Sequence, residues 1–131
     1  MTDLSPMNEQ QITQFKDKLI LERLEVGPLT QEMLNILHFK GSQYFNVIAT
    51  DGTPVGELWL MPGEEYIEVL EIRVQAEFKR RGYGREALNA ARRRWEMLPL
   101  RLSVDPANLT AQSFYSACNM VPTAITYVSK R

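Results

Sequence analysis

The sequence predicts an α/β fold in which helices and a mixed β-sheet pack as a sandwich. Three observations predict it. Apolar residues recur at helical spacing in the first 40 residues, short strand-like runs separated by turn residues follow, and from residue 66 strands alternate with helices. Such alternation builds a sheet covered by helices. A chain of 131 residues is long enough for one domain, and we expect residues 1–131 to form it.

The first 40 residues predict two helices and no strand ahead of them. Ser5 and Pro6 supply the N-cap and first-turn pair that begins many helices, and this helix is expected to end before Gly27-Pro28. Thr30 can cap a second, short helix whose apolar residues lie between Met33 and Leu37.

Short strands and two further helices fill the rest of the chain. Asp51-Gly52 is a hairpin turn signal, and Pro62-Gly63 marks the next turn. The predicted strands span residues 43–48, 55–61, 66–74, 100–104 and 124–128, and the predicted helices span residues 84–97 and 108–118. In a sheet of this kind a ligand binds where a strand leads into a helix, here between residues 66–74 and 84–97 and between residues 100–104 and 108–118.

Composition excludes several classes of protein. The hydrophobic fraction of 44% and the net charge of −1 are ordinary for a globular domain. Cys118 is the only cysteine, which excludes an intrachain disulfide and favours a cytoplasmic setting. No apolar run approaches the ~20 residues that span a bilayer, so we expect no membrane association. His38 is the only histidine and cannot build a metal site alone, so no metal is expected.

Residues 74–84 are the most informative stretch. They run from an apolar strand through a basic loop into a helix, with Gly82 and Gly84 at the helix start. Glycine lets backbone amides approach a ligand closely, and a helix N-terminus adds unpaired N–H groups and a positive dipole end. Four basic side chains surround this point: Lys79, Arg80, Arg81 and Arg85. The stretch therefore predicts a pyrophosphate site.

Two segments resemble the motifs of the GNAT superfamily of acetyl-CoA-dependent N-acetyltransferases. Lys79-Arg80-Arg81-Gly82-Tyr83-Gly84 resembles the acetyl-CoA loop Gln/Arg-x-x-Gly-x-Gly/Ala. About 25 residues on, Asn108, Ala111, Phe114 and Tyr115 stand at the spacing of the second motif, Asn-x-x-Ala-x-x-Phe-Tyr. The resemblance covers about residues 43–128. The sequence departs from it at Lys79, which replaces Gln or Arg, and at Asn119, which replaces Gly.

The resemblance implies a mixed, mostly antiparallel central sheet flanked by helices. Because the sequence ends about 11 residues after Met120, the final pair of strands is expected to be short or partly absent. The backbone around Ile72 and Val74 would pair with the pantetheine arm of acetyl-CoA, and the loop amides, including that of Tyr83, would hold the pyrophosphate. Asn108 would hydrogen-bond the pantetheine or hold its own loop.

The implied reaction is direct transfer of acetyl from CoA to a primary amine of a small molecule or a protein, without a covalent enzyme intermediate. Tyr115 stands where the family places its general acid, and packing or CoA contact alone is the alternative. A phenol of pKa ~10 can protonate a thiolate whose own pKa is near ~8.5. Glu68 is the leading candidate for the base, with Glu71 and Asp105 as alternatives.

Other functions stay open. The short C-terminal end leaves room for a non-catalytic CoA-binding or protein-interaction module, and a truncated sheet edge favours a homodimer. Residues 79–94 carry seven basic side chains against Glu86 alone, but few aromatic residues interleave with them, which disfavours nucleic acid. Arg92, Arg93 and Arg94 are expected to form a solvated face, with the CoA 3′-phosphate or nucleic acid as alternatives. Five acidic residues hint at a cationic acceptor: Glu57, Glu64, Glu65, Glu68 and Glu71.

Overall fold

The described part of the chain forms a seven-stranded sheet with helices on both faces. A computed structural model describes residues 2–38, 41–96, 98–104, 107–118, 120–123 and 126–129. Within these ranges the strands are β1 (Asp3–Pro6), β2 (Gln43–Ile48), β3 (Pro54–Pro62), β4 (Ile67–Val74), β5 (Leu100–Ser103), β6 (Met120–Thr123) and β7 (Thr126–Ser129). The helices are α1 (Glu9–Val26), α2 (Gln31–Leu37), α3 (Tyr83–Arg94) and α4 (Leu109–Ala117).

The sheet is mixed and mostly antiparallel, as predicted. Its strand order is β1-β2-β3-β4-β5-β7-β6, and the parallel pair is β4 with β5. That pair has two register partners, Ile67 with Leu100 and Glu68 with Arg101. Beyond Glu68, β4 continues to Val74 with β3 as its one partner among the described strands, so the two central strands separate towards the carboxyl end of β4.

Side chains that alternate along the strands pack into two hydrophobic cores, one on each face of the sheet. Phe45, Leu58 and Leu60 pack with α3 on one face, whereas Tyr44 and Trp59 pack with α1 and α2 on the other. This period of two is the geometry of a β-strand, in which successive side chains point to opposite faces. None of the helices in the described ranges is both long and apolar enough to cross a bilayer.

The N-terminal prediction was wrong in its first element. Residues 3–6 form β1, which pairs with β2, and Ser5 and Pro6 lie in this strand instead of starting a helix. The helix α1 begins at Glu9 behind an Asn8 capping box, in which Asn8 and Gln11 each bond the other's backbone N–H. The prediction that Thr30 caps α2 is confirmed, because its hydroxyl accepts from the Met33 amide.

Both C-terminal strands are present, and each has four residues. The expected final pair of strands is therefore present as two short strands, whereas the single predicted strand at 124–128 missed β6. Three predicted positions lie outside the described residues: Met97, where the helix predicted over 84–97 was expected to end, Asn119 and Ala124.

A β-bulge changes which face β4 presents. Trp59 pairs with Glu71 and Leu60 with Val69, so Leu70 is an extra residue on β4. Leu70 packs with the α1 and α2 core, and Glu71 bonds Arg23 on α1, so these consecutive residues share a face. Beyond them Ile72 returns to the α3 face. A bulge produces this change of phase.

Candidate active site

A cavity of about 850 Å³ opens where β4 has left β5. Its walls are the second half of β4, the basic loop, the start of α3 and one side of α4. Its lining residues are Glu71, Ile72, Arg73, Val74, Phe78, Lys79, Arg80, Gly82, Tyr83, Gly84, Arg85, Asn108, Thr110, Ala111, Phe114, Tyr115, Ala117 and Cys118. This volume is within the range of sites for small molecules and cofactors.

The basic loop ends in a helix terminus without a side-chain cap. Gly82 is the N-cap of α3, has φ 86°, and offers no side chain to bond the first amides of the helix. Arg80, with φ 66°, also adopts the left-handed backbone conformation, which is uncommon outside glycine. Successive backbone N–H groups around such residues form concave anion sites. The loop geometry therefore suits a phosphate group.

The basic side chains of this region differ in position. Lys79 and Arg80 are exposed and line the cavity, whereas Arg81 lies over the ring of Phe78, at 5.8 Å from its centroid. Arg81 is not among the residues that line the cavity. Arg85 lines it and donates from Nη2 to the Ala117 carbonyl at 2.7 Å, which ties α3 to the end of α4.

Gly84 has a packing role that its sequence motif did not indicate. A Cβ built on Gly84 would lie 2.8 Å from Cζ of Phe114. Phe114 in turn packs edge-on against Tyr115, with 5.1 Å between ring centroids. Glycine at this position lets α3 approach α4 closely enough to hold the aromatic pair.

Gly84→Ala is therefore expected to destabilise the fold by about 1–2 kcal/mol, because the methyl group overpacks the contact with Phe114. In an open helix the same change stabilises by about 1 kcal/mol. Urea denaturation measures the change in the free energy of unfolding when Gly84→Ala is made in two backgrounds. We expect destabilisation in the wild type and stabilisation in Phe114→Leu. A stabilised Gly84→Ala protein in the wild-type background would contradict the close approach.

Asn108 directly precedes α4, Tyr115 lies on it, and both residues line the cavity. Asn108 is the N-cap of α4, and its side-chain oxygen accepts from the Ala111 amide at 3.1 Å. Burial, with smaller effects from the charges of Glu71 and Cys118, raises the pKa of Tyr115 to about 12. The phenol is therefore protonated at neutral pH and is a weaker acid than an ordinary tyrosine.

The two leading carboxylates differ in their positions. Glu71 lines the cavity, and its Oε2 lies 3.2 Å from Nη2 of Arg23. Burial raises the pKa of Glu71 despite the opposing charge of Arg23. Glu68 does not line the cavity; its Oε1 lies 3.2 Å from Nη2 of Arg101 on β5. The third candidate, Asp105, lies outside the described residues.

Residues 11–120 match the profile of the Acetyltransferase (GNAT) family. The chain belongs to this family. No curated protein sequence matches it.

Solved structures similar to this GNAT domain include three informative examples. YycN of Bacillus subtilis, assigned as an acetyltransferase, gives a TM-score of 0.71 at 19% identity over 95% of each chain. The ribosomal-protein-S18-alanine N-acetyltransferase from Escherichia coli gives 0.68 at 16% identity, over 98% of this chain and 93% of that one. A Bacillus anthracis protein assigned as a streptothricin acetyltransferase, in complex with acetyl coenzyme A, gives 0.60 at 14% identity, over 81% and 70%. At these identities the similarity establishes the GNAT fold.

The structure gathers most of the GNAT site residues predicted from the sequence. Ile72, Val74, Asn108 and Tyr115 surround one cavity with the loop residues Lys79, Arg80, Gly82, Tyr83, Gly84 and Arg85. Glu68 and Arg81 are not among its lining residues. The sequence interpretation gave Glu71 less weight than Glu68. The adjacent apolar pair Val69-Leu70, which breaks the alternation of the strand, is the signal that indicates the bulge and the face of Glu71.

The arginines at the end of α3 make contacts within the GNAT domain. Arg92 donates from Nη2 to the Cys118 carbonyl at 2.8 Å, and Arg93 donates to the Thr2 carbonyl at 3.1 Å. Arg94 lies 4.9 Å from the ring centroid of Phe45. These side chains connect α3 to the residues around it, so the basic segment has a structural use independent of any phosphate.

Proposed function

We propose that this GNAT protein transfers an acetyl group from acetyl-CoA to a primary amine of a small molecule or a protein. The observation that carries the proposal is the cavity itself. Its walls include an uncapped helix terminus, a basic loop, a tyrosine and a half-buried carboxylate, the last two being Tyr115 and Glu71. The acetyl-CoA complex of the Bacillus anthracis neighbour supports this choice of acyl donor.

The residues present fit the donor. A Cβ at Gly82 would have no atom within 4 Å, so open space lies in front of this backbone. In the proposal, amides of the loop and of the first turn of α3 bind the pyrophosphate, with Lys79 and Arg80 providing positive charge. The edge of β4 near Ile72 and Val74 that has no partner strand among the described residues binds the pantetheine arm by backbone hydrogen bonds, as an added strand would.

Acetyl-CoA supplies an activated thioester, and the protein supplies proton transfer and alignment. We assign to Glu71 the removal of a proton from the acceptor ammonium, directly or through water, because Glu71 lines the cavity that Tyr115 also lines. Its raised pKa makes it a better proton acceptor than an ordinary glutamate. Glu68, engaged with Arg101 outside the cavity, is the weaker candidate.

Tyr115 is proposed to assist departure of the CoA sulfur. Its raised pKa weakens it as an acid, so the larger share of its effect would be hydrogen-bond donation to charge developing on sulfur. Cys118 has no part in this scheme. Burial raises the pKa of its thiol, which disfavours the thiolate that a nucleophile requires.

Two matched glycine variants test the donor site. Gly82 and Gly52 have similar left-handed backbones, with φ 86° and 91°, and neither has an atom within 4 Å of an added Cβ. Alanine at either position should cost roughly 1–2 kcal/mol of stability. Saturation of the wild type with acetyl-CoA at 100 Kd should add ~2.7 kcal/mol, or roughly 8–12 °C in thermal midpoint.

We expect Gly82→Ala to lower the affinity for acetyl-CoA at least tenfold and Gly52→Ala to leave that affinity unchanged. The reason is that, of these two glycines, only Gly82 lies at the phosphate loop. Differential scanning fluorimetry at several acetyl-CoA concentrations measures both. An equal loss of affinity in the two variants, or a wild type that does not respond to millimolar acetyl-CoA, would contradict the proposed site.

A further inference from the structure

We propose that a second, smaller pocket selects the acceptor, and that it takes an amine attached to an aliphatic or aromatic group. The inference rests on the proposed function. The pocket has a volume of about 220 Å³ and lies on the face of the sheet covered by α1 and α2. This is the opposite face from the core around α3.

The walls of this pocket are mainly apolar. Leu19, Met33, Ile36, Trp59 and Leu70 line it, and each of them belongs to or packs on the α1 and α2 core. The polar lining consists of Arg23, Thr30 and Glu32. Transfer of an aliphatic group from water into such surroundings is favourable by about 0.8 kcal/mol per buried CH₂.

The pocket adjoins the large cavity through two neighbouring pairs of residues. Arg23 lines the small pocket, and its guanidinium lies 3.2 Å from the carboxylate of Glu71, which lines the large one. In addition, the bulge puts Leu70, a wall of the small pocket, on the same face as Glu71. An acceptor whose apolar group occupied the small pocket would bring its amine to the carboxylate.

Size limits the occupant to part of a molecule. Sites that enclose a whole ligand measure about 300–1,000 Å³. A pocket of about 220 Å³ is smaller than that range and suits one bulky side chain, with the reacting amine outside it. Trp59 lines the pocket, and its buried indole N–H has no hydrogen-bond partner among the described residues.

Charge on this face does not favour a polycation. Glu71 pairs with Arg23, Glu68 with Arg101, and Glu22 with Arg73. Two of the five acidic residues that hinted at a cationic acceptor, Glu68 and Glu71, are therefore already paired. The pocket itself contributes one cation and one carboxylate, Arg23 and Glu32. Hydrophobic burial is the stronger attraction available there.

The test compares two alkyl amines whose amino groups are chemically alike. In the wild type, 3-methylbutylamine should be acetylated with a kcat/KM at least tenfold above that of ethylamine, because it alone reaches the pocket. Ile36→Trp should fill the pocket and lower kcat/KM for 3-methylbutylamine at least tenfold, with ethylamine changed by less than about threefold. Spermidine serves as the polycationic comparison.

A second variant guards against misfolding of the first. Met33→Ala enlarges the pocket and should shift preference towards the bulkier 2-phenylethylamine, whereas Leu34→Ala, on the same helix but outside the pocket lining, should not. Calorimetric binding of 3-methylbutylamine to the protein saturated with CoA provides a readout independent of turnover, and Ile36→Trp should weaken it at least tenfold.

The outcomes separate this inference from the proposed function. Equal acetylation of both alkyl amines, unaffected by the pocket variants, would overturn the pocket and leave the acetyltransferase intact. Preferred acetylation of spermidine would overturn the apolar acceptor in the same way. Acetyl-CoA binding without acetylation of any amine would overturn the proposed function, and the acceptor pocket with it.

Discussion

Tyr115→Phe should lower kcat for acetyl transfer about 10²-fold and leave the dissociation constant of acetyl-CoA within about twofold of the wild type. The substitution removes one oxygen and keeps the ring, which packs against Phe114. Because the hydroxyl is assigned to charge that develops on sulfur during the reaction, its loss should affect the transition state more than donor binding. Steady-state release of the CoA thiol and a binding titration measure the two quantities.

Phe114→Leu is the matched control for Tyr115→Phe. It alters the neighbouring ring on α4 and keeps the phenol. We expect it to reduce stability more than it reduces kcat. If Tyr115→Phe retained the wild-type kcat, the tyrosine would have no part in the chemistry, and packing or CoA contact would be its role.

Glu71→Gln should lower kcat/KM for a primary amine by about 10²-fold or more, because the amide cannot accept the ammonium proton. The raised pKa of Glu71 fixes the direction of the pH dependence. As pH falls, Glu71 should protonate above the ordinary glutamate range, and activity should be lost with it. In Glu71→Gln, the fall of kcat/KM at low pH that is due to this carboxylate should vanish. The remaining pH dependence should be that of the ionisation of the amine itself.

Glu68→Gln supplies the control on the same strand. It removes a carboxylate that pairs with Arg101 and does not line the cavity, so kcat/KM should change by less than about threefold. The pH profile of kcat/KM should be measured for both variants with the same amine. A large loss in Glu68→Gln together with a small loss in Glu71→Gln would reverse the assignment of the base.

Local sequence signals predicted most of the residues on the proposed donor side of the cavity, because the geometry of that side is local. The basic residues 79–81, the glycine that caps α3 and the spacing of Asn108 and Tyr115 are each set within one loop or helix. The fold class followed from the alternation of strands and helices. These features depend little on which distant segment pairs with which.

Features that depend on pairing between distant segments were missed. β1 has a single buried residue, Leu4, so its four residues show no alternation, and its identity as a strand depends on pairing with β2. The register shift opposite Trp59 places Glu71 beside α1, and a sequence shows such a shift only as two adjacent apolar residues. The phenol pKa of ~10 assumed for Tyr115 was too low, because burial is a tertiary property.

Direct detection of the acetylated amine tests the central claim. The protein is incubated with acetyl-CoA and one amine at a time: ethylamine, 3-methylbutylamine, spermidine or a peptide with a free N-terminus. Mass spectrometry detects the products. We predict that at least one amine gains an acetyl group with release of an equal amount of CoA, and that Tyr115→Phe and Glu71→Gln slow this reaction about 10²-fold. The contrary result would be that acetyl-CoA binds and raises the thermal midpoint, but no amine is acetylated faster than in the uncatalysed reaction. The protein would then be a CoA-binding module without catalysis.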